Sequence, residues 1–285
     1  MDAKRIEALQ STARSVRHHI LSLSSQGGCF IGASLSCTDL LVYLYFEYLS
    51  IDLSSLDDPE RDYLLLSKGH YVPAMYGCFV EKAWLAKDRL ANHLKSNDSI
   101  YWHPNRNIPG VEFHSGSLGQ LPSVGAGIAQ DCKMKGRHNR VLVIMGDGEL
   151  NEGSVWETFL VASNLHLNNL CFVIDRNYFQ ANVATEDLMP LEPLEEKFKA
   201  FGIDVLRING HDFEELDGAF RKLPFSDKRP SAIICDTVRG KGIPSIERRA
   251  DRWFVNFSET EVEQLRQELA GGQAAQLNSE TLTVR

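Results

Sequence analysis

The residues best suited to chemistry are an aspartate inside a glycine turn and an asparagine that follows it along the chain. Asp147 lies between Gly146 and Gly148, directly after the apolar run of residues 141–145, and Asn177 ends the next apolar run. Two glycines let the backbone bend sharply and approach a ligand, while carboxylate and amide oxygens are ligands that Mg²⁺ prefers. The pattern predicts a metal or phosphate site, and an ordinary Asp-Gly turn is its alternative interpretation.

Similar polar turns follow two other apolar runs. SKGH, ending in His70, follows residues 63–66, and RGKG at residues 239–242 follows the apolar run that begins at residue 231. Because the carboxyl ends of parallel strands share one edge of a sheet, we expect these turns to lie beside Asp147. His70 is therefore a candidate for ligand contact, and a helix-capping or merely hydrogen-bonded histidine is the alternative.

A long segment without periodicity, residues 96–120, carries two more histidines, His103 and His114. Loops of this length inside compact domains are usually functional or disordered. The histidines favour a functional loop, and an exposed flexible flap is the alternative.

Apolar periodicity predicts the elements that must position these residues. Residues 141–177 read as a strand, a turn, a helix and a second strand, which is a βαβ unit. Strands alternate with helices elsewhere too, so we predict an α/β fold with a mainly parallel, twisted sheet and helices on both faces. The further helices are expected at residues 6–23, 40–49, 73–84, 123–135, 194–201, 212–223 and 261–269, and the further strands at residues 63–66, 204–208 and 231–238. We expect one domain over residues 1–270 and a tail, residues 271–285, that is mobile or contacts a partner.

Composition narrows the classes of partner. The chain has 285 residues and a formal net charge of −8, and its Lys and Arg residues form no basic stripe, so we expect no nucleic-acid partner. No 18-residue apolar run is present that would span a bilayer, so we also expect no membrane contact. The six cysteines are dispersed without a CxxC pair, which favours reduced thiols and a cytoplasmic location.

Together these motifs resemble the amino-terminal, thiamine-diphosphate-binding part of a transketolase, of the kind encoded as a separate subunit. The most specific segment is GDGELNEGSVWETFLVASNLHLNNLCFVIDRN at residues 146–177, and ASLS, SKGH, GVEFHSGSLGQ and DTVRGKG stand around it in the family's order. The resemblance implies the thiamine-diphosphate-binding fold, with residues 1–270 as the diphosphate-binding domain. It also implies transfer of a two-carbon unit from a small donor to an aldehyde or related acceptor.

The resemblance implies which residues hold the cofactor. Asp147, Asn177 and the carbonyl of Phe179 would bind Mg²⁺, or another divalent cation, that bridges the diphosphate. His70 would contact the diphosphate and take part in catalysis. Gly146, Gly148 and Glu149 would form the turn that holds the diphosphate, the last two through backbone donors.

Four further residues match family positions near the reacting part of the cofactor. Gly116 and Leu118 would hold the aminopyrimidine ring. His103 would hydrogen-bond the donor substrate and the intermediate. Glu152 would lie at a dimer interface, in a carboxylate network that joins two active sites.

Two positions depart from the family pattern. Phe30 and Phe254 stand where the family usually has histidines that bind hydroxyls and move protons. Phenylalanine makes the pocket more apolar and removes acid–base groups. We therefore hypothesise a less polar donor or acceptor, such as an acetyl or acyl group derived from a 2-oxo acid like pyruvate.

The family's activating glutamate belongs to a pyrimidine-binding domain that we do not find in this chain. We therefore expect a carboxy-terminal, transketolase-like partner subunit to supply it, in an α2β2 assembly, and we expect this chain alone to be inactive. A dehydrogenase-like or carboligase half and a catalytically decayed binding subunit remain alternatives, although retention of Asp147 and Asn177 argues against decay. No G-x-G-x-x-G opens a helix after a strand, which disfavours a dinucleotide dehydrogenase.

Overall fold

The computed structural model describes residues 1–282, and its centre is a five-stranded parallel sheet. The strand order across this sheet is β1-β2-β3-β7-β6, and every neighbouring pair is parallel. Two short antiparallel pairs, β4 with β5 and β8 with β9, lie outside it. The strands are β1 Tyr63–Leu66, β2 Val141–Gly146, β3 Leu170–Arg176, β4 Phe179–Gln180, β5 Val183–Ala184, β6 Asp204–Asn209, β7 Ser231–Asp236, β8 Phe254–Val255 and β9 Thr281–Leu282.

Helices cover both faces of the sheet, as the sequence predicts. One apolar core lies under α1, α3, α4, α9 and α10, and the other lies under α5, α6 and α8. The helices are α1 Ala3–Ser24, α2 Ile31–Ser36, α3 Thr38–Tyr43, α4 Val72–Glu81, α5 Leu121–Met134, α6 Gly153–Asn164, α7 Thr185–Leu188, α8 Leu194–Ala200, α9 Phe213–Phe220 and α10 Glu259–Leu269.

Strand β2 shows why the sequence folds this way. Leu142 and Ile144 point into the first core, while Val141, Val143 and Met145 point into the second. A strand buried on both faces needs apolar residues at every position, and β-branched side chains pack well on a pleated surface. The apolar runs of the sequence therefore become the inner strands, and the predicted fold class is confirmed.

Two segments near the amino terminus differ from the prediction. The ASLS segment, which we expected in a loop, lies in α2, where the hydroxyls of Ser34 and Ser36 donate to the carbonyls of Phe30 and Ala33. Serine-rich sequence favours turns because the hydroxyl competes for backbone groups, but here it bonds within the helix. The helix predicted at residues 40–49 is α3 followed by a π-helical turn, Leu44–Tyr48, which uniform apolarity conceals.

The carboxy-terminal segment lies along its own chain. Thr281 pairs with Val255 in the β8–β9 ribbon, and the backbone N–H of Ser279 donates to Glu261 Oε1 over 2.8 Å. The predicted contact of this tail with a partner stays a prediction, and residues 283–285 lie outside the described residues. Among the helices of residues 1–282, none combines the length and the apolar character that crossing a membrane requires.

Candidate cofactor site

The polar turns of the sequence meet in one cleft. It has a volume of about 610 Å³, open space at its mouth included, and lies at the carboxyl ends of β1, β2, β3 and β7, where open α/β sheets bind their ligands. The predicted residues His70, Leu118, Gly148, Glu149, Asn177 and Phe179 all line it. The other lining residues are Ala33, Lys68, Gln180, Ala181, Arg239 and Trp253.

Asp147 lies beneath the cleft, fully buried. Its Oδ2 accepts two hydrogen bonds, from the Tyr178 N–H over 2.7 Å and from Arg176 Nη1 over 3.1 Å. Its Oδ1 accepts one, from the Gly148 N–H over 2.8 Å. Each carboxylate oxygen has about two lone pairs, so Oδ1 keeps one for a cation. Burial raises the pKa of Asp147 above its ordinary value, and the positive charges of Lys68 and Arg176 oppose that shift.

The side-chain amide of Asn177 is oriented by its neighbours. Its Nδ2 lies 3.3 Å from Ser36 Oγ, 3.0 Å from the Tyr71 hydroxyl and 3.2 Å from Asp175 Oδ2, and these three oxygens share its two N–H donors. Its Oδ1 accepts from the Phe179 N–H over 3.0 Å. A carbonyl oxygen has two lone pairs, so Oδ1 also keeps one for a cation.

The backbone of Phe179 faces the same asparagine. The Tyr178 carbonyl accepts from the Thr185 N–H over 3.0 Å, so the next pair of the hairpin, Phe179 with Ala184, is of the non-hydrogen-bonded kind. The N–H and C=O of Phe179 therefore point away from the hairpin, and the N–H meets Asn177 Oδ1. The carbonyl of Phe179 lies on that same side of the strand.

The oxygens of Asp147, Asn177 and Phe179 suit a hard cation whose remaining ligands are phosphate oxygens and water. Nowhere in residues 1–282 do three His, Cys, Asp or Glu side chains form a ready-made metal site. One carboxylate oxygen, one amide oxygen and one carbonyl oxygen are the kind of partial shell that Mg²⁺ accepts when phosphate oxygens and water complete its octahedron. The residues present therefore fit a metal–diphosphate group.

Two buried cations in the cleft were missed by the sequence reasoning. Lys68 is 6% exposed, and its ammonium donates to the Tyr71 hydroxyl and lies 4.2 Å from the centre of that ring. It also lies directly against Gly146, so a side chain at that position would displace the ammonium.

Arg239 is the second cation, and it is 2% exposed. Its Nη1 donates to the Ala181 carbonyl, but its Nε and Nη2 have no hydrogen-bond partner. Burial lowers the pKa of Arg239 to about 10, so the guanidinium is still charged at pH 7. A buried, incompletely paired cation is costly, which favours an anionic ligand here. Lys68 lies in the polar turn SKGH and Arg239 in RGKG. The positive charges of these two turns were the sequence signal that could have identified both residues.

Glu149 ties two parts of the rim together. Its buried carboxylate accepts hydrogen bonds from the Gly119 N–H over 2.8 Å, from the Gly146 N–H over 3.3 Å and from the Ser67 hydroxyl. Burial raises the pKa of Glu149, and the hydrogen bond from Ser67 opposes the shift. The loop that carries Leu118 is thereby fastened to the Asp147 turn.

An aromatic cluster adjoins the cleft through His70 and Trp253, which line it, and we call this cluster the aromatic end. The ring of Phe30 lies 5.0 Å from His70, 6.3 Å from His103, 5.2 Å from Trp253 and 5.1 Å from Phe254, between ring centroids. Burial lowers the pKa of His103, and burial together with Lys68 lowers that of His70 well below its ordinary value. Both imidazoles are therefore neutral at pH 7.

The two remaining predicted residues lie beside the cleft. Gly116 has φ +150°, and a Cβ there would come within 3.2 Å of the His103 ring. Glu152 is exposed immediately before α6, which also exposes Leu160 and Val161 to more than half of their full areas. The predicted role of Glu152 at an interface stays a prediction.

Fold and cleft define an α/β protein with a polar, ligand-sized site at the carboxyl edge of a parallel sheet. Residues 10–278 match the family model described as "Transketolase, thiamine diphosphate binding domain". The chain is 33% identical to an apulose-4-phosphate transketolase subunit of Phocaeicola vulgatus, over 85% of this chain and 87% of that one. It is 35% identical to a 6-deoxy-6-sulfo-D-fructose transketolase subunit of a Clostridium strain, over 82% and 86% of the two chains.

Solved structures of transketolases share the fold of this chain. Transketolase from Campylobacter jejuni superposes with a TM-score of 0.85 and 26% identity, covering 96% of this chain and 44% of that chain. Transketolase from Leishmania mexicana, at 22% identity and a TM-score of 0.82, shares the fold, and this chain spans about two fifths of its length (42%).

This chain belongs to the transketolase family, in its thiamine diphosphate binding domain. The resemblance drawn from the sequence motifs is thereby confirmed. The relatives indicate a transketolase-like transferase of the thiamine-diphosphate-dependent class.

Proposed function

We propose that this chain is the diphosphate-binding subunit of a two-chain enzyme that transfers a two-carbon unit from a small donor to an aldehyde or related acceptor. The observation that carries the proposal is the convergence of three oxygens, from Asp147, Asn177 and Phe179, with two buried cations, Lys68 and Arg239. Oxygens that suit Mg²⁺ and cations that suit phosphate, side by side, form a clamp for a metal–diphosphate group.

When bound, thiamine diphosphate supplies the electron sink that allows a carbon–carbon bond beside a carbonyl to break. Asp147 Oδ1, Asn177 Oδ1 and the Phe179 carbonyl would hold the divalent cation. Lys68 and Arg239 would neutralise the diphosphate. The neutral His70 and the Glu149 N–H would hydrogen-bond it, whereas the N–H groups of Gly146 and Gly148 already donate to Glu149 and Asp147 and shape the turn.

The remaining predicted residues would act nearer the substrate. Gly116 and Leu118 would hold the aminopyrimidine ring in place. His103 is neutral at pH 7 because burial lowers its pKa, so one ring nitrogen donates and the other accepts a hydrogen bond. It would bind an oxygen of the donor and hold a proton there.

A partner chain belongs to this proposal. Several relatives carry the word "subunit" in their names, which implies a second chain, and we propose that this second chain supplies the activating glutamate in an α2β2 assembly. The exposed Glu152 and the exposed apolar side chains of α6 offer a surface for such an assembly. Six free, buried cysteines support a reducing, cytoplasmic location.

The test is a titration of thiamine diphosphate with Mg²⁺ into the full chain, alone and mixed with its partner subunit, followed by a transfer assay. We expect binding that requires the divalent cation, and transfer from a ketose phosphate only in the mixture. Transfer by this chain alone would contradict the two-chain proposal, and absence of binding in both samples would contradict the cofactor proposal.

A second candidate function is acyl transfer from a 2-oxo acid such as pyruvate. It is favoured by the aromatic end of the cleft, where Phe30 and Phe254 pack together at a centroid distance of 5.1 Å in place of the family's histidines. Apolar rings offer no hydrogen bonds to sugar hydroxyls, whereas they accommodate a methyl group. A panel of ketose phosphates and 2-oxo acids, assayed with the partner subunit, decides between the two candidates.

A further inference from the structure

We propose that Tyr178 is a positioning residue that clamps the metal-binding loop in its active shape before any ligand arrives. The inference rests on the proposed function of the site, because Tyr178 stands between two proposed cation ligands, Asn177 and Phe179. Nothing in the sequence pattern singles this tyrosine out. Its backbone conformation and its contacts do.

The backbone of Tyr178 is left-handed, with φ +69°. This region is unfavourable for a residue with a Cβ, and bulky side chains rarely occupy it. Such strain persists only where the surroundings over-determine it, and it concentrates at functional sites. Tyr178 must therefore be held in place by its neighbours.

Both backbone polar groups of Tyr178 are engaged. Its N–H donates to Asp147 Oδ2 over 2.7 Å, and its carbonyl accepts from the Thr185 N–H over 3.0 Å. The first bond fixes the carboxylate that keeps a lone pair for the cation. The second begins the hairpin in which the N–H of Phe179 donates to Asn177 Oδ1, so that the Phe179 carbonyl lies on the same side of the strand.

The side chain of Tyr178 is held at both ends. The Arg176 guanidinium lies 4.1 Å from the centre of the ring, a cation–π contact. The hydroxyl donates to Asp236 Oδ1 over 2.8 Å and accepts from Arg207 Nη2 over 3.1 Å. Asp236 and Arg207 come from β7 and β6, so the rigid sheet anchors the far end of the side chain.

Arg176 connects the ring to the proposed ligand directly. It is fully buried, and its Nη1 donates both to Asp147 Oδ2 over 3.1 Å and to the Thr185 hydroxyl over 2.6 Å. The guanidinium that stacks on Tyr178 therefore also orients the Asp147 carboxylate. Glu186 and Glu192 also bind this guanidinium, so loss of the ring would remove one of several contacts that orient it and would loosen the loop on the side of Tyr178.

The consequence concerns the geometry of the cation. Mg²⁺ demands a nearly ideal octahedron, and a loop that is already ordered avoids the entropic cost of closing on it. If Tyr178 relaxed to a right-handed conformation, its N–H would leave Asp147 and the carbonyl of Phe179 would rotate away from Asn177. The strained tyrosine therefore sets the affinity for the metal–diphosphate group.

The experiment compares Tyr178→Ala and Tyr178→Phe with the wild-type full chain. Tyr178→Ala keeps the Cβ and its strain but removes the ring and hydroxyl, whereas Tyr178→Phe removes only the bonds to Asp236 and Arg207. Amide hydrogen exchange of Tyr178, Phe179 and Thr185 is measured without ligand. Affinity for thiamine diphosphate with Mg²⁺ is measured by the change in tryptophan fluorescence, to which Trp253 in the lining of the cleft contributes.

We expect Tyr178→Ala to accelerate exchange at these amides and to weaken cofactor affinity roughly 10-fold, and Tyr178→Phe to have a smaller effect of the same kind. His166→Gly is the matched control, because His166 is also left-handed, with φ +54°, but lies in the α6–β3 turn away from the cleft. It should change neither readout.

Wild-type exchange rates and affinity in Tyr178→Ala would overturn the proposal. So would a lower melting temperature accompanied by unchanged exchange at the three amides, since that outcome describes a merely structural tyrosine. If Tyr178→Ala does not fold, Tyr178→Phe must show the faster exchange, and its absence also overturns the clamp. Failure of the wild-type chain to bind the cofactor counts against the proposed function. Amide hydrogen exchange measured without ligand still tests whether Tyr178 holds the loop.

Discussion

The two ends of the cleft are built by different physical means. At the polar end, Asp147, Asn177 and Arg176 are each held by several hydrogen bonds and are buried. At the aromatic end, Phe30 and Phe254 contact their neighbours through ring packing. The polar end presents charged groups and oriented lone pairs to a ligand, whereas the aromatic end presents an apolar surface formed by packed rings.

This difference bears on how each end tolerates substitution. Removing one member of a buried polar network leaves its partners unpaired, which is costly. Replacing a histidine by phenylalanine in an aromatic cluster leaves nothing unpaired within the cluster and changes mainly what the pocket accepts. We therefore expect substitutions at the polar end to impair cofactor binding, and substitutions at the aromatic end to change the substrate that is accepted.

The largest effect is expected from Asp147→Asn, which removes the charge but keeps the side-chain shape. Affinity for thiamine diphosphate with Mg²⁺ should fall by about 100-fold or more, because the cation loses its only carboxylate oxygen among the three proposed ligands. Isothermal titration measures the loss. Asp131→Asn, at an exposed position of α5, is the control, and an Asp147→Asn chain that binds like the control would show that the polar end is not the metal site.

Arg239→Met should weaken binding of the diphosphate cofactor by about 10- to 100-fold, since hydrogen bonds to charged groups contribute roughly 1.5–3 kcal/mol. Thiamine without its diphosphate should bind both chains equally. In the ligand-free state the variant should melt at a higher temperature, because it no longer buries an incompletely paired guanidinium. Arg229→Met, at an exposed position, is the control. Equal losses for thiamine and its diphosphate would contradict the assignment.

A third prediction concerns the support beneath the polar end. His211 Nδ1 lies 2.7 Å from Asp39 Oδ2, and His211 Nε2 accepts from the Val238 N–H, next to Arg239, over 2.8 Å. Burial alone would raise the pKa of Asp39, but the charge of Arg17 and the hydrogen bond from His211 outweigh it and lower the pKa to about 2.

Because the folded-state pKa of Asp39 is depressed, its stabilisation is complete above the unfolded value near 3.8 and is lost as the pH falls toward about 2. The contribution is about 2 kcal/mol. Urea unfolding between pH 5 and pH 2 should show this acid-dependent loss in the wild type and in the exposed-site control Asp88→Asn, but a smaller one in Asp39→Asn. Parallel pH profiles for all three chains would refute it.

The smallest effect is expected at the aromatic end. Phe254→His should leave cofactor affinity within about twofold, because the ring of Phe254 packs on Phe30 and Trp102. It should shift the ratio of kcat/KM values toward ketose phosphates by roughly 10-fold. Steady-state assays with the partner subunit measure the shift, and Phe257→Leu in the core controls for lost aromatic volume. An unchanged ratio would show that the aromatic end does not select the donor.

Much of the fold was predictable from the sequence. The apolar runs of β1, β2, β3 and β7 and the helical periodicity between them predict a parallel sheet, because burial on both faces demands apolar residues at every strand position. The polar turns after these strands, with Asp147, His70 and Asn177, predict a site at one edge for the same reason. The boundaries of α2 and α3 were less accessible, because serine bonds within a helix and uniform apolarity leave no local signal.

What the sequence determined by itself is therefore the class of fold and the polar edge, since both follow from local spacing. Tertiary structure alone decided that Lys68 and Arg239 converge on one cleft, that Asn177 directs its oxygen rather than its nitrogen toward Phe179, and that Tyr178 is held in a strained conformation. These features depend on strand order and register, which bring together groups that lie far apart along the chain.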